Sequence, residues 1–334
     1  MRSGILAAGN WIRDHVMVVD AWPQEEGLAN ILSQCDGNGG GAYNVLKDLA
    51  LLGAPFPLAG VGRVGDDERG RMILSDCGAL GIDSSRVVAE KGVSTSFTEV
   101  VTVRSTGKRS FFHHRGANAL LGASHLDFER ASQRIFYLGY LFLLDGLDAP
   151  GPGGAPAARD VLRRARAAGL QTALDCASAA AGQPWEAARP VLCEVDVLFA
   201  NEVEAGRLCG REIDQVDRRA VEAAARDLVG LGVRGWAIVH YPGGACACSG
   251  SGEIVWQGAV RVRPEQVAGA AGAGDALAAG VLLGLHEGWP IGRSLELGVC
   301  AAAVSLLHPT CSGGLRPHAA CLAFGREQGF VPSP

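Results

Sequence analysis

The stretch Ala268–Leu285, AGAAGAGDALAAGVLLGL, decides how the chain is read. Gly269, Gly272 and Gly274 precede one acid, Asp275, and the chain then runs directly into a helical pattern. Glycines at this spacing let the backbone turn sharply and leave its N–H groups bare. The following helix points unpaired N–H groups and the positive end of its dipole at the same place. Backbone alone thus makes an anion site. Asp275 at its mouth would repel a phosphate, and makes better sense as a base acting on a hydroxyl beside one. The chemistry implied is phosphoryl transfer. Asp275 would accept an alcohol proton while Gly272, Ala273 and Gly274 steady the transferring group. An acid near a helix start also suits the dipole with no catalysis at all, and this stretch by itself leaves both readings open.

The totals set bounds. A chain of 334 residues that is 48% apolar can bury a large α/β core. A net charge of −5 with no basic run argues against nucleic acid as a main partner. Local glycine loops can still bind a small anion. The ten cysteines form no C-x-x-C and no zinc-like spacing, and sit in apolar segments, as thiols in a reducing compartment would. The N-terminal apolar run is too short for a signal peptide, and no run approaches the roughly 20 apolar residues of a membrane span. The expectation is a cytoplasmic protein without a membrane partner.

Along the chain, residues 4–9 and 15–19 read as short strands joined by Gly9-Asn10-Trp11-Ile12-Arg13-Asp14. An extended piece over 28–35 leads into Gly37-Asn38-Gly39-Gly40-Gly41, and residues 45–52 read as a helix ending at Gly53. A glycine cluster before a helix is either a second ligand loop or a plain turn. Gly60, Gly62 and Gly65 spell G-x-G-x-x-G, so an NAD-dependent oxidoreductase is a rival reading, with Asp83 near the place of a ribose-binding acid. Asp66, Asp67 and Glu68 follow where the pyrophosphate would sit and would repel it. A strand, a turn and an acid-capped helix over 67–80 is the better reading.

Residues 93–104 and 108–115, parted by Thr106-Gly107, carry a hairpin signal. With the early strands they predict a small separate sheet, a lid contributed by about 12–36 and 93–115. His113 and His114 face opposite sides of a strand and read as edge residues. Arg115 is a candidate substrate contact, and it or Arg13 could meet an acidic group. From residue 134 onward strand and helix alternate: 135–144, 170–176, 195–200 and 235–240 as strands, 157–168 as a helix. Near-continuous apolar strands between helices mean a parallel sheet covered on both faces. Asp175 and Asn201 fall at carboxyl ends of strands, where ligands bind in such sheets. Asn201 and Glu204 have the spacing of a helix cap with a capping box. Cys246 and Cys248 alternate in a strand as core residues, and 295–307 reads as a last long helix.

GAGDALAAGVLLGL resembles the C-terminal signature of the ribokinase-like (PfkB) carbohydrate kinases. A second signature of that family, Gly-Gly-x-x-x-Asn, is matched by Gly39, Gly40 and Asn44, and its acid after the first strand by Asp14, with Asn10 a further candidate. Its Asn-x-x-Glu motif is matched by Asn201 and Glu204, and a glycine of its nucleotide loop by Gly244, with Tyr241 where a glycine is usual. The resemblance covers nearly the whole chain in the right order. It implies one domain over 1–334, a ribokinase-like three-layer α/β/α sandwich with a central, mostly parallel sheet and a small β lid.

The implied activity is transfer of the ATP γ-phosphate to a sugar-like hydroxyl. Asp275 would be the base and the Gly272–Gly274 amides the anion hole. Asp14, Asn44, Gly39 and Gly40 would hold the acceptor, Asn201 and Gly244 the nucleotide, and Glu204 a Mg²⁺ through water. The segment CAAAVSLLHPTCSGG (300–314) would lie beside adenine. The family usually has Asp-Thr before its Gly-Ala-Gly-Asp core. Here Gly269 and Ala270 stand there, which withdraws support for the K⁺ site built nearby. The family also pairs into homodimers through the lid. Alternatives are a kinase of the same family acting on a nucleoside or a phosphorylated sugar, and a sugar sensor without catalysis.

Overall fold

A computed structural model describes residues 2–178, 185–213 and 217–332. Thirteen strands are found among them: β1 Ile5–Gly9, β2 Ile12–Val19, β3 Ile31–Gly39, β4 Leu58–Gly65, β5 Asp83–Glu90, β6 Ser96–Val103, β7 Arg109–His114, β8 Ile135–Leu141, β9 Gln171–Cys176, β10 Val197–Asn201, β11 Trp236–Tyr241, β12 Gly244–Ser249 and β13 Ile254–Gly258. Nine form one sheet in the order β13-β12-β11-β10-β9-β8-β1-β4-β5. The seven strands from β11 to β5 are parallel, and β12 and β13 complete the other edge as an antiparallel meander.

Alternate strand residues feed two cores, because successive side chains of a strand point to opposite faces. Ile5, Ala7, Tyr137 and Phe199 pack with the helices Gly41–Leu51, Ala273–His286 and Ile291–Ser305. Leu6, Ala8, Phe136 and Leu198 pack with Ala157–Ala167 and Arg218–Gly230. The three-layer sandwich with a mostly parallel sheet is therefore the observed fold. The helices Ala273–His286 and Ile291–Ser305 meet closely. A Cβ on Gly280 would lie 2.8 Å from the Gly298 Cα, so small residues let the two backbones touch and fix the helix that carries Asp275 in its first turn.

The other four strands form a separate sheet, β3-β2-β6-β7. β2 runs antiparallel to β3 and parallel to β6, and β6 is antiparallel to β7. Register puts Asp14, Thr98 and His113 side by side in one row. The lid expected near 12–36 and 93–115 is this sheet.

Several boundaries differ from the sequence expectation. β2 begins at Ile12, so Asp14 belongs to a strand and not to a connecting segment. β3 runs on through Gly39 and the next helix starts at Gly41, with Gly40 between them at φ 88°. Asn44 therefore sits on the first turn of a helix. The last long helix starts at Ile291 directly after Pro290, whose fixed φ suits a helix start.

The rival dinucleotide reading fails on packing. Gly60, Gly62 and Gly65 lie inside strand β4, where a phosphate-binding turn would be needed. A Cβ would come within 2.5 Å of the Trp11 indole at Gly60 and 2.1 Å at Gly62. These glycines are cut away to seat Trp11, which is fully buried, stacks on Tyr43 and donates its indole N–H to the Val61 carbonyl at 3.1 Å. Asp67 caps the helix Glu68–Ala79 by accepting from the Gly70 N–H at 2.8 Å.

Candidate active site

The carboxyl ends of β9, β10 and β11, the start of the helix Ala273–His286 and the inner face of the small sheet enclose a cleft of about 1200 Å³. A pocket for one small ligand usually measures roughly 300–1,000 Å³, so this cleft has room for two substrates.

At its centre stands Asp275, 5% exposed, in the first turn of its helix. Gly272 caps that helix in the left-handed conformation at φ 78°, and a Cβ there would strike Cys311 at 2.5 Å. Only glycine satisfies both demands. Gly272, Ala273 and Gly274 all line the cleft, with their N–H groups among the unpaired donors of the helix start.

The Asp275 carboxylate accepts from the Tyr140 hydroxyl, 2.7 Å from both of its oxygens, and from the Asn44 side-chain amide at 2.8 Å. Burial raises the Asp275 pKa to about 6, and these two hydrogen bonds hold it from rising further. Asn44 is itself oriented from below. Asn38 donates to the Asn44 carbonyl oxygen at 2.6 Å and to the Ser312 hydroxyl at 2.7 Å, and Ser312 donates to the buried Asp48. With its oxygen held by Asn38, the Asn44 amide can only present its N–H side to Asp275.

Asp14 lines the cleft on the lid side at 8% exposure. Burial raises its pKa to about 7, against the opposing hydrogen bonds of Thr98 and Cys311. Gly39 does not line the cleft. A Cβ there would lie 2.3 Å from an Asp14 carboxylate oxygen, so Gly39 clears space for that side chain. Gly40 does line it. Asn10, expected as a substrate contact, is fully buried outside the lining. Its amide donates to the Leu143 carbonyl at 2.9 Å and accepts from the Tyr140 N–H at 2.7 Å, which locks the segment carrying Tyr140. Arg115 reaches the rim but pairs with Asp145 at 2.5 Å.

At the other end Asn201 and Glu204 form a reciprocal capping box with both hydrogen bonds at 2.9 Å. Ser178 joins them, donating to Glu204 at 2.6 Å and accepting from the Asn201 amide at 2.9 Å. Burial raises Glu204 to about 7, and holds Asp175 well above the carboxylate range with help from the negative charges of Glu204 and Asp275. Glu204 and both amino-acid types beside it offer oxygen donors only, which suits a hard cation. No cluster of three candidate metal ligands occurs among the described residues. Gly244 lines the cleft at the start of β12, beside Tyr241. Cys246 and Cys248 are buried core, as their alternation implied.

The segment 300–314 divides between the two ends. Ala302, Ala303 and Leu306 line the cleft, while Cys311 lies 3.7 Å from Asp14 and Ser312 beneath Asn38. Tyr140, Thr98 and Cys311 give no sequence signal as site residues. Tyr140 is hidden in the apolar run 135–144, and only the fold brings it across 135 positions to Asp275.

A buried carboxylate at a helix start, inside a cleft with room for two substrates in an α/β/α sandwich, suits a small-molecule phosphotransferase. The chain belongs to the pfkB family of carbohydrate kinases, whose family model matches residues 5–317. It is similar to an ATP-dependent ribose-1-phosphate kinase of Halopiger xanaduensis, with 28% identity covering 90% of this chain and 91% of that one. It is also similar to a 5-dehydro-2-deoxygluconokinase of Geobacillus thermodenitrificans, with 26% identity covering 83% and 80%. Among solved structures, Arabidopsis thaliana ribokinase complexed with ribose and ATP shares the fold at a TM-score of 0.77 and 21% identity over 98% of this chain and 99% of that one. Giardia lamblia ribokinase does so at 0.80 and 19% over 98% and 100%. The chain is thus an ATP-dependent phosphotransferase acting on a sugar hydroxyl. No helix among the described residues is long and apolar enough to cross a membrane.

Proposed function

We propose that Asp275 takes the proton of a sugar-type hydroxyl as the ATP γ-phosphoryl group is transferred to it. The observation that carries this reading is the Asp275 carboxylate itself. It is buried at a helix N-terminus, fixed by Tyr140 and Asn44, and has a pKa of about 6, so it is ionised at neutral pH yet basic enough to accept a proton. The N–H groups of Gly272, Ala273 and Gly274 face the position where negative charge spreads over the transferring group. Asp14, Asn44 and the Gly40 backbone hold the acceptor. Asn201, Gly244 and the apolar wall of Ala302, Ala303 and Leu306 take the nucleotide.

Glu204, with Asn201 and Ser178 beside it, would hold a hydrated Mg²⁺, which when bound neutralises phosphate charge. Gly269 and Ala270, in place of an acid and a threonine, offer no side chain to a K⁺ site there, and the K⁺ comparison below tests whether activity depends on one. The whole chain acts as one catalytic unit, in the cytoplasm, where its ten thiols stay reduced. Two copies pair through their lids, whose edge strands β3 and β7 leave backbone groups open and Trp22 stacked on Phe112 at the surface.

The test is ADP release from Mg·ATP across neutral sugars, sugar acids, sugar phosphates and nucleosides, with and without K⁺. One strongly preferred acceptor supports the reading. Binding of a sugar without any turnover turns it toward a sensor.

A further inference from the structure

We infer that the acceptor carries an anionic group, and that Arg109 on the inner face of the lid binds it. This rests on the kinase reading above and names the acceptor class for the same cleft. Register places three rows on one face of the small sheet: Asp14, Thr98 and His113, then Val100 and Phe111, then Thr102 and Arg109. Asp14, Thr98, His113, Phe111 and Arg109 of these line the cleft. The Arg109 Cα lies four residues from His113, about 13 Å along the strand. Arg109 nevertheless lines the same cleft as Asp14, Thr98, His113 and Cys311, so its side chain shares that wall.

Among the described residues it has no hydrogen-bond or ion-pair partner, and its Nη1 is buried without one. Leaving a guanidinium nitrogen desolvated and unpaired is costly, and such a group is normally matched by an anion. Among the described residues none is supplied. Arg115 has Asp145 and Arg63 has Glu90, while Arg109 has only the cleft. The neighbouring His113 supports a ligand at this wall. Burial, with Arg115 and His114 adding to it, lowers its pKa to about 4, so the ring is neutral. Its Nδ1 lies 3.1 Å from the Thr98 hydroxyl, and its Nε2 is buried without a partner. In the tautomer whose Nδ1–H donates to the Thr98 hydroxyl, Nε2 carries no proton. Nε2 is then a bare acceptor for a ligand hydroxyl. The wall thus offers one fork of N–H donors beside two acceptors, Asp14 and His113. A polyol with a phosphate or carboxylate at one end satisfies all three, and a neutral sugar leaves Arg109 unmatched.

The test compares kcat/KM for ribose, ribose 1-phosphate, ribose 5-phosphate, glucose and gluconate, in the wild type and in R109M and R109K, with calorimetric binding of each compound run alongside. We expect at least one anionic compound to exceed its neutral parent by 100-fold or more. In R109M that ratio falls at least 30-fold through KM, with R109K intermediate and both variants melting no lower than wild type. Phosphate-bearing against carboxylate-bearing acceptors tells which anion is meant. A neutral sugar preferred by the wild type, or a ratio unchanged in R109M, overturns the inference and leaves the kinase intact. Arg109-dependent binding of an anionic sugar with no ADP formed sustains the inference and overturns the kinase reading. Absence of binding by every anionic compound overturns it as well.

Discussion

The Tyr140 hydroxyl stands 2.7 Å from both oxygens of the Asp275 carboxylate. A donor in that position stabilises the ionised acid, so it lowers a pKa that burial raises. As the proposed base Asp275 would act only when ionised, so activity is expected to rise with pH through its pKa. Tyr140→Phe removes the donor and moves this acidic limb of the kcat profile upward, by about one pH unit for a hydrogen bond to a charged group. An unmoved limb in the variant would show that Tyr140 does not tune the base.

Gly62→Ala pushes a methyl group to 2.1 Å from the Trp11 indole, between elements that cannot separate. We expect a loss of about 1–3 kcal/mol in denaturant unfolding, the range for overpacking a core. NAD binds neither form in a calorimetric titration. A stable G62A protein, or one that loses an NAD site, contradicts the packing role of these glycines.

Stability of the ligand-free protein falls as pH rises from about 6.5 to 8. Asp14 and Glu204 have folded-state pKa values of about 7, above their unfolded values of 3.8 and 4.5. The folded state therefore binds more protons, and stability present at low pH is lost as pH rises through 7. Asp48 and Asp175, also raised by burial, act with the same sign. His113 and His240, lowered to about 4, act oppositely, but only between about pH 4 and 6.5, where unfolded histidine takes up a proton. Melting temperature against pH checks this, and a rise between 6.5 and 8 would go against it.

The lid edges predict a dimer. Light scattering is expected to give twice the mass of the 334-residue chain, and Phe112→Asp, which puts charge on an exposed ring that is 54% accessible, to halve it. A wild-type monomer removes the lid pairing.

Most of the fold is legible in the sequence because apolar runs such as 135–144 and 170–176 have one physical solution, a strand covered on both faces. β5 and β13 escape that reading. β5 lies at a sheet edge with only Val87 buried, and its polar alternation looks like a loop. The site residues that sit in glycine-rich turns or at helix starts, Asp275, Asn44, Gly40 and Asn201, are legible since those positions carry a local pattern. Tyr140, Thr98, Arg109 and Ser312 are not, because each meets its neighbours only through sheet register or helix packing. Gly39 and Asn10 carry a local pattern too, and in the structure Gly39 clears space for Asp14 while Asn10 holds the Tyr140 segment.

The central claim is that Asp275 removes the acceptor proton. The most direct measurement is single-turnover ADP formation by Asp275→Asn with the preferred acceptor, together with the acceptor Kd by calorimetry. Loss of a positioned base costs about 10²–10⁴ in rate. We predict a fall within or beyond that range with Kd changed less than about threefold, since Asn is close to isosteric and binding rests on Asp14 and Asn44. A D275N enzyme that turns over at near the wild-type rate contradicts the account.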